Sequence, residues 1–268
     1  MRDLAVVQPM PPLDADAPAL SAFEFWPAPV FYAPLMPLIG WLMLRHGVTA
    51  PLAANPGLPA SGLVGESKSE VFSAFTGPQR ELLASWIVVE RTGSIEWQAR
   101  DIERRMTEAG FGYPAVAKPD IGCRGAGVRP LHNRLDLIDY LWAFPRDGRL
   151  VIQQMVRADG EAGIFYVRRP GDRRGRIISL TLKYFPHVFG DGQATLEQLI
   201  RADKRAGRIA HLYLPRFEGR RAYVPGCGEA VRLVFAGNHC RGAIFRNGNH
   251  LISEALERRF DAIADSIE

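Results

Sequence analysis

The sequence predicts an α+β protein in which a small α/β unit is followed by an antiparallel sheet. Three observations lead there. A short apolar strand candidate at 114–118 (PAVAK) runs into a glycine-rich loop, and a helix that Asn133 can cap follows it. Two alternating stretches, 162–169 and 176–185, flank a Pro-Gly-Asp-Arg-Arg-Gly turn, the patterning of an antiparallel hairpin. No internal repeat or low-complexity tract competes with these elements.

The elements follow in chain order. Residues 1–20 are rich in Pro and Ala and are expected to form an extended arm. Residues 26–44 (WPAPVFYAPLMPLIGWLML) are 19 in a row without a charge, close to the length that spans a bilayer. Pro27, Pro29, Pro34 and Pro37 each remove a backbone donor, so a continuous spanning helix is disfavoured. A buried or surface-docking segment is expected there, with membrane contact through 26–44 as the lesser alternative. A turn-rich run at 55–65 precedes helical patterning from Glu66 and again over 96–109, where Gly110 ends it.

Further on, Leu135, Ile138, Leu141 and Trp142 are expected to form the apolar face of the helix that Asn133 caps, stopped by Pro145. Residues 150–156 read as a strand. Thr195 and Gln198 make a capping box opening a helix over 196–202. Residues 231–236 and 241–245 are expected to pair as a hairpin around Gly237-Asn238-His239. The last helix is expected to bury Leu256, Phe260, Ile263 and Ile267, spaced by four, three and four.

Composition narrows the class. At 268 residues, with 47% hydrophobic and 23% charged residues, the chain can hold a large core and more than one folding unit. A net charge of +4 raises the question of a polyanionic partner. The cations cluster at Arg168, Arg169, Arg173, Arg174 and Arg176, and at Arg201, Lys204, Arg205 and Arg208. Neither cluster comes with interleaved aromatics or a nucleic-acid module, so both read as solvated surface and no nucleic-acid partner is expected. Cys123, Cys227 and Cys240 form no C-x-x-C pair, which argues against a disulfide framework or structural zinc and fits a reducing cytoplasm.

The chemistry concentrates at 113–128 (YPAVAKPDIGCRGAGV). Lys118 ends the strand, Pro119 breaks it, and Gly122, Gly125 and Gly127 follow at G-x-x-G-x-G spacing. Glycines lack a Cβ and take φ > 0, so backbone N–H groups in such a loop can approach a polyphosphate while the lysine ammonium meets its oxygens. The order differs from the dinucleotide fingerprint, and the lysine precedes the glycines, unlike a P-loop. An ordinary turn beside a surface lysine is the plain alternative. His187 and His239 lack metal-ligand spacing, and nothing marks Cys123 as a thiolate nucleophile.

A strand ending Val-x-Lys-Pro (116–119) followed by G-x-x-G-x-G-Val resembles the phosphate-covering loop of the ATP-grasp superfamily. Three more segments match in order. VIQQMV (151–156) with Gly160 and Glu161 resembles the family's hinge strand. FPHVFGDGQATLEQLI (185–200) resembles a segment of its carboxylate–amine ligases, of the D-alanine–D-alanine ligase and cyanophycin synthetase type. GESK (65–68) stands where the family has its first ATP lysine. The resemblance covers roughly residues 62–268.

The resemblance implies two α+β subdomains holding ATP between them. It divides the chain into an N-terminal segment (1–65), a helical lead-in (66–112), a small subdomain (113–157) and a large one (158–268). It places Lys68, Lys118, Gly122, Arg124, Gly125 and Gly127 on the phosphates. Gln153, Gln154, Met155 and Val156 line adenine in this scheme, and Glu161 meets the ribose. Lys183 reaches the γ-phosphate, and Arg232 holds an acceptor carboxylate or acyl phosphate. It further implies ATP and Mg²⁺, with a carboxylate and an amine joined through an acyl phosphate.

Here the resemblance also breaks off. The family holds Mg²⁺ on a carboxylate and a Glu-x-Asn on strands near the domain's end. In this sequence 253–268 reads as an amphipathic helix whose Glu254, Glu257, Asp261 and Glu268 are expected to meet solvent. The fold is therefore expected to lack its last strands, and no metal ligand is assigned. Three explanations stay open: a fragment of a longer protein, strands supplied by another polypeptide, or nucleotide binding without turnover. A second function class stands beside the ligase: a non-catalytic ATP-binding or scaffold protein with a docking N-terminal segment.

Overall fold

The computed structural model describes residues 10–13, 18–20, 24–55, 59–62, 65–122 and 125–267. Most of the expected N-terminal arm, part of the 55–65 run, Cys123, Arg124 and Glu268 lie outside the described residues. The chain forms two units. One comprises Trp26–Val156 with Arg258–Glu268, the other Met1–Phe25 with Arg157–Glu257.

The first unit opens with three short helices, α1 (Ala28–Tyr32), α2 (Met36–His46) and α3 (Ala50–Ala53). The prolines here do not prevent helix. Pro29, Pro34 and Pro37 each fall in the first two positions of a helical turn, where no N–H is needed and a fixed φ helps. The segment is not buried either, since no residue of α2 is. No described helix is long and apolar enough to cross a membrane.

α4 (Lys68–Ala74) starts at Ser67, whose hydroxyl accepts from the Glu70 N–H. Then come β1 (Trp86–Glu90), α5 (Ile95–Glu108), β2 (Ala115–Pro119), β3 (Arg129–Leu131), α6 (Arg134–Ala143) and β4 (Arg149–Gln154). These strands form one sheet in the order β1-β4-β2-β3, antiparallel at every pairing. β1 and β2 are therefore parallel, joined through α5 with β4 between them. β3 and β4 are likewise parallel, joined through α6 with β2 between them. The sheet is two interleaved split βαβ units. β1, not foreseen from sequence, is an edge strand whose Ile87 and Val89 face the helices.

α5 and α6 pack Ile95, Ile102, Met106, Leu137 and Leu141 onto Leu131, Leu150 and Ile152. Of the four residues expected on the apolar face of α6, Leu141 is buried and Ile138 packs against the core, but the face is turned toward Leu137 and Tyr140. Leu137, Tyr140 and Leu141 are buried, whereas Leu135 and Trp142 are exposed at 71% and 69%. Both stripes have helical spacing, and contact with the sheet decides between them. Asn133 caps the helix as expected, accepting from the Leu135 and Asp136 N–H groups at 2.9 and 3.1 Å.

The second unit contains β5 (Gly160–Val167) and β6 (Arg176–Tyr184), paired as the expected hairpin. β7 (His187–Phe189), α7 (Leu196–Ala202), α8 (Ala210–Tyr213), β8 (Ala230–Arg232) and β9 (Ile244–Asn247) follow. α7 opens with the Thr195–Gln198 capping box. The second expected hairpin is not formed. β8 pairs with β7, while β9 adds to β6. Asn238 instead opens a 3-10 turn and Gly242, at φ +96°, closes it, sending the chain to another sheet.

One cluster around Leu196, Ile200, Tyr213 and Leu233 forms this unit's main core, and Leu180, Leu182, Tyr184 and Ile244 form a smaller one. Arg205, expected on a solvated surface, is buried. It pairs with Glu24 and donates to the Ala19 carbonyl at 2.6 Å.

The division between the units falls within α9 (Glu254–Asp265). Its apolar residues are half-buried or exposed and none is fully buried. Glu257, expected in solvent, accepts from the Ile177 N–H on β6 at 3.1 Å. The chain is thus α+β with antiparallel sheets.

The packing of α6 separates two adjacent substitutions. Leu141→Ala should cost about 2–5 kcal/mol of unfolding free energy and Trp142→Ala no more than about 1 kcal/mol, measured by urea titration. Equal losses would contradict the observed helix face.

Candidate functional site

Register puts Lys118 and Gln153 on one face of the first unit's sheet. Val116 pairs with Gln153 and Lys118 with Val151, so these side chains leave the face opposite α5 and α6. The Lys118 ammonium donates to Gln153 Oε1 at 2.6 Å and lies 4.9 Å from the Phe72 ring centroid. Gln153 Nε2 is held by the Ala84 carbonyl at 3.0 Å, which turns the amide oxygen toward the lysine. Among the described residues no carboxylate pairs with Lys118. Burial, with the Lys68 charge adding, pushes its pKa down to about 8.

Lys68, the first residue of α4, donates to the carbonyls of Asp120 at 3.1 Å and Gly122 at 2.9 Å. It is thereby fastened to the beginning of the glycine loop. Gly125 and Gly127 have φ of +71° and +68°. A Cβ on Gly127 would come within 2.6 Å of Pro119 Cγ, so both conformation and space require glycine there. Tyr140 donates its hydroxyl to the Gly127 carbonyl at 2.9 Å, and burial pushes the phenol up to about 12, which keeps it a donor. Arg124 lies outside the described residues.

Asp120, which the sequence reading passed over, joins these parts. Its carboxylate is 1% exposed. It accepts from the Ser67 hydroxyl at 2.8 Å, the Ser69 hydroxyl at 3.0 Å and the Ser69 N–H at 2.8 Å. Arg149 stands 3.4 Å away. Burial opposes ionisation, but the Ser69 N–H and the two hydroxyls outweigh it, with Arg149 adding, and hold the carboxyl below the usual range. The signal in the sequence was the Ser-x-x-Glu pattern at 67–70, a helix-start signature that places two hydroxyls at one cap.

The remaining expected residues divide. β4 ends at Gln154, which is exposed, as is Val156, and the Met155 N–H reaches the Pro114 carbonyl at 3.4 Å. Glu161, Lys183 and Arg232 belong to the second unit. Glu161 and Lys183 are opposite each other on β5 and β6, with charged atoms 3.8 Å apart, and Glu161 also accepts from the Gly237 N–H at 3.1 Å. The Arg232 guanidinium stacks 3.4 Å over Phe185 and donates to the Val234 and Phe235 carbonyls at 2.7 and 2.6 Å. Burial lowers its pKa.

A cleft of ≈ 690 Å³ opens beside the glycine loop, lined by Ser67, Pro119, Gly127, Tyr140, Phe144 and Arg149 among others. Lys118 and Gln153 are not in its wall. They leave the opposite sheet face, so the cleft and the lysine are separate features. Among the described residues, no group of three or more His, Cys, Asp or Glu side chains stands where it could hold a metal ion.

No protein-family model and no curated protein matches the sequence. Among solved structures, a bifunctional glutathione synthetase from Pasteurella multocida is similar at a TM-score of 0.30 and 16% identity, over 86% of this chain. The chain spans 28% of that protein's length. A likeness at that TM-score leaves the site to be judged on this chain's own geometry.

Two pH dependences follow. Asp120→Asn should cost about 2–4 kcal/mol at pH 7. A depressed folded pKa stabilises above the unfolded value, so the gap should be full above about pH 5 and shrink below about pH 4, read by thermal melts across pH. Lys118→Met has the opposite sign. The folded lysine loses its proton near 8 and the unfolded one near 10.4, so charged Lys118 costs stability at neutral pH. Lys118→Met should be more stable than the parent by roughly 1–3 kcal/mol at pH 7, and the advantage should vanish above about pH 10.

Proposed function

We propose that this chain binds the triphosphate of ATP at Lys118 and the glycine loop, as the nucleotide-holding part of an ATP-grasp carboxylate–amine ligase. One observation carries the reading: Lys118 is a partly desolvated cation whose partners are a neutral amide and a ring, and a loop with two glycines at positive φ follows it in the chain. A phosphate oxygen beside that ammonium would offset the lost hydration. Lys68 holds the loop's first carbonyls and so positions it, and the Gln153 amide orients the lysine.

Bound ATP would supply the phosphoryl group that activates a carboxylate toward attack by an amine. Gln153, rather than Gln154 or Val156, is the residue of the 151–156 segment with a polar contact to Lys118.

ATP at about 100-fold over its Kd should stabilise the parent by about 2.7 kcal/mol, and Lys118→Ala should remove at least half of that in thermal-shift titrations. An unchanged ATP shift in Lys118→Ala would sink the phosphate role. ADP and phosphate release that requires both an added carboxylate and an added amine would support ligation. ATP binding with no such release would favour the non-catalytic alternative.

A further inference from the structure

The helical turns at the start of the first unit present apolar side chains in every direction. From Pro29 to Ala53 no residue is buried, and only Gly40, Met43, Ala50 and Pro51 are even half-covered. Leu38 and Trp41 are 54% and 53% exposed and Leu44 is 87% exposed. Exposed apolar surface on this scale is rare on proteins that meet only water. The residues linking α1 to α2, among them Tyr32, Ala33, Leu35 and Met36, all have right-handed helical φ and ψ. Residues 28–46 are therefore helical throughout, α1 and α2 being joined by a 3-10 turn over 33–35.

Two features select the occupant. Successive helical residues turn by about 100°, so the exposed Met36, Leu38, Ile39, Trp41, Leu42 and Leu44 of α2 together point around the whole circumference. A protein groove or a partner helix covers a stripe, and helices apolar all round belong in a large core or in lipid. Charge gives the second feature. Between residues 25 and 65 the sequence has no Asp, Glu or Lys, and its only fixed charge is Arg45. The Arg45 guanidinium lies 5.5 Å from the Trp41 ring at the last turn of α2, pairing a cation with an amphipathic aromatic at one end of an apolar rod. Nothing acidic in this stretch would repel a negative surface.

We propose that residues 28–46 embed this protein in one leaflet of an anionic lipid bilayer, with Trp41 and Arg45 at the headgroup level. The rod enters the hydrocarbon boundary along its length and does not cross it. The attachment is independent of the nucleotide reading, because it uses no residue of the Lys118 surface.

Flotation of the full chain with phosphatidylcholine vesicles, and with vesicles containing about one-third phosphatidylglycerol, tests this. The parent should float with the anionic vesicles. Leu38→Glu combined with Trp41→Glu should stay at the bottom while keeping the parent's thermal transition, since both side chains are exposed. Arg45→Gln should bind the anionic vesicles about fivefold less and the neutral ones unchanged. A parent that stays at the bottom with both vesicles overturns the proposal, as does a double variant that floats like the parent. A parent that sediments as a dimer, becomes monomeric in the double variant and ignores vesicles would assign the rod to a second copy of the chain instead.

Discussion

Removing a carboxylate from water costs several kcal/mol unless its lone pairs are satisfied, and Asp120 meets that condition only when α4 is docked. Two hydroxyls and one N–H come from residues 67–69, and a guanidinium comes from the start of β4. The end of β2 and the start of α4 are therefore tied at one buried point. Lys68 inherits its position from that tie, and its ammonium fastens the loop that begins two residues further on. The Lys118 surface depends on the same tie, because Phe72, one turn into α4, forms the apolar side of its environment.

The buried Arg205 and the half-buried Arg232 and Lys118 differ in how they are satisfied. Arg205 has a carboxylate and a carbonyl, and Arg232 has two carbonyls and an aromatic face. Both are committed to holding their own unit together. Lys118 has one neutral acceptor and a ring, with a second lysine nearby. A lysine in that state is poised either to lose its proton or to gain an anion, and this sets it apart from the structural arginines.

Much of the local structure could be read from the residues. The helix over 95–108, the hairpin of β5 and β6 and the caps at Asn133 and Thr195 all rest on contacts within a few residues. What escaped was non-local. Strand patterning in 231–245 gives no hint that β8 and β9 join different sheets. The two apolar stripes of α6 are equally periodic, and only the sheet beneath selects Leu137, Tyr140 and Leu141. Arg205 reads as one more cation in a basic cluster until Glu24, far away in the sequence, is found beside it. For the candidate site, Lys118 and the glycines were legible because their chemistry is written in adjacent letters. Asp120 was not, because an acid after Lys-Pro says nothing of the serines that will surround it.

The sequence by itself determined the helices over 95–108, 134–143 and 196–202, the β5–β6 hairpin, the glycines at 125 and 127, and the uncharged run at 26–44, since these depend on side-chain chemistry and short-range backbone geometry. Tertiary structure alone decided which strands pair, which helix face is buried, and that the uncharged run remains uncovered as a helix. It also decided that Lys118 is partly desolvated without a counter-charge among the described residues. Those outcomes depend on which distant groups meet, because desolvation and pairing energies exist only once the chain has brought the partners together.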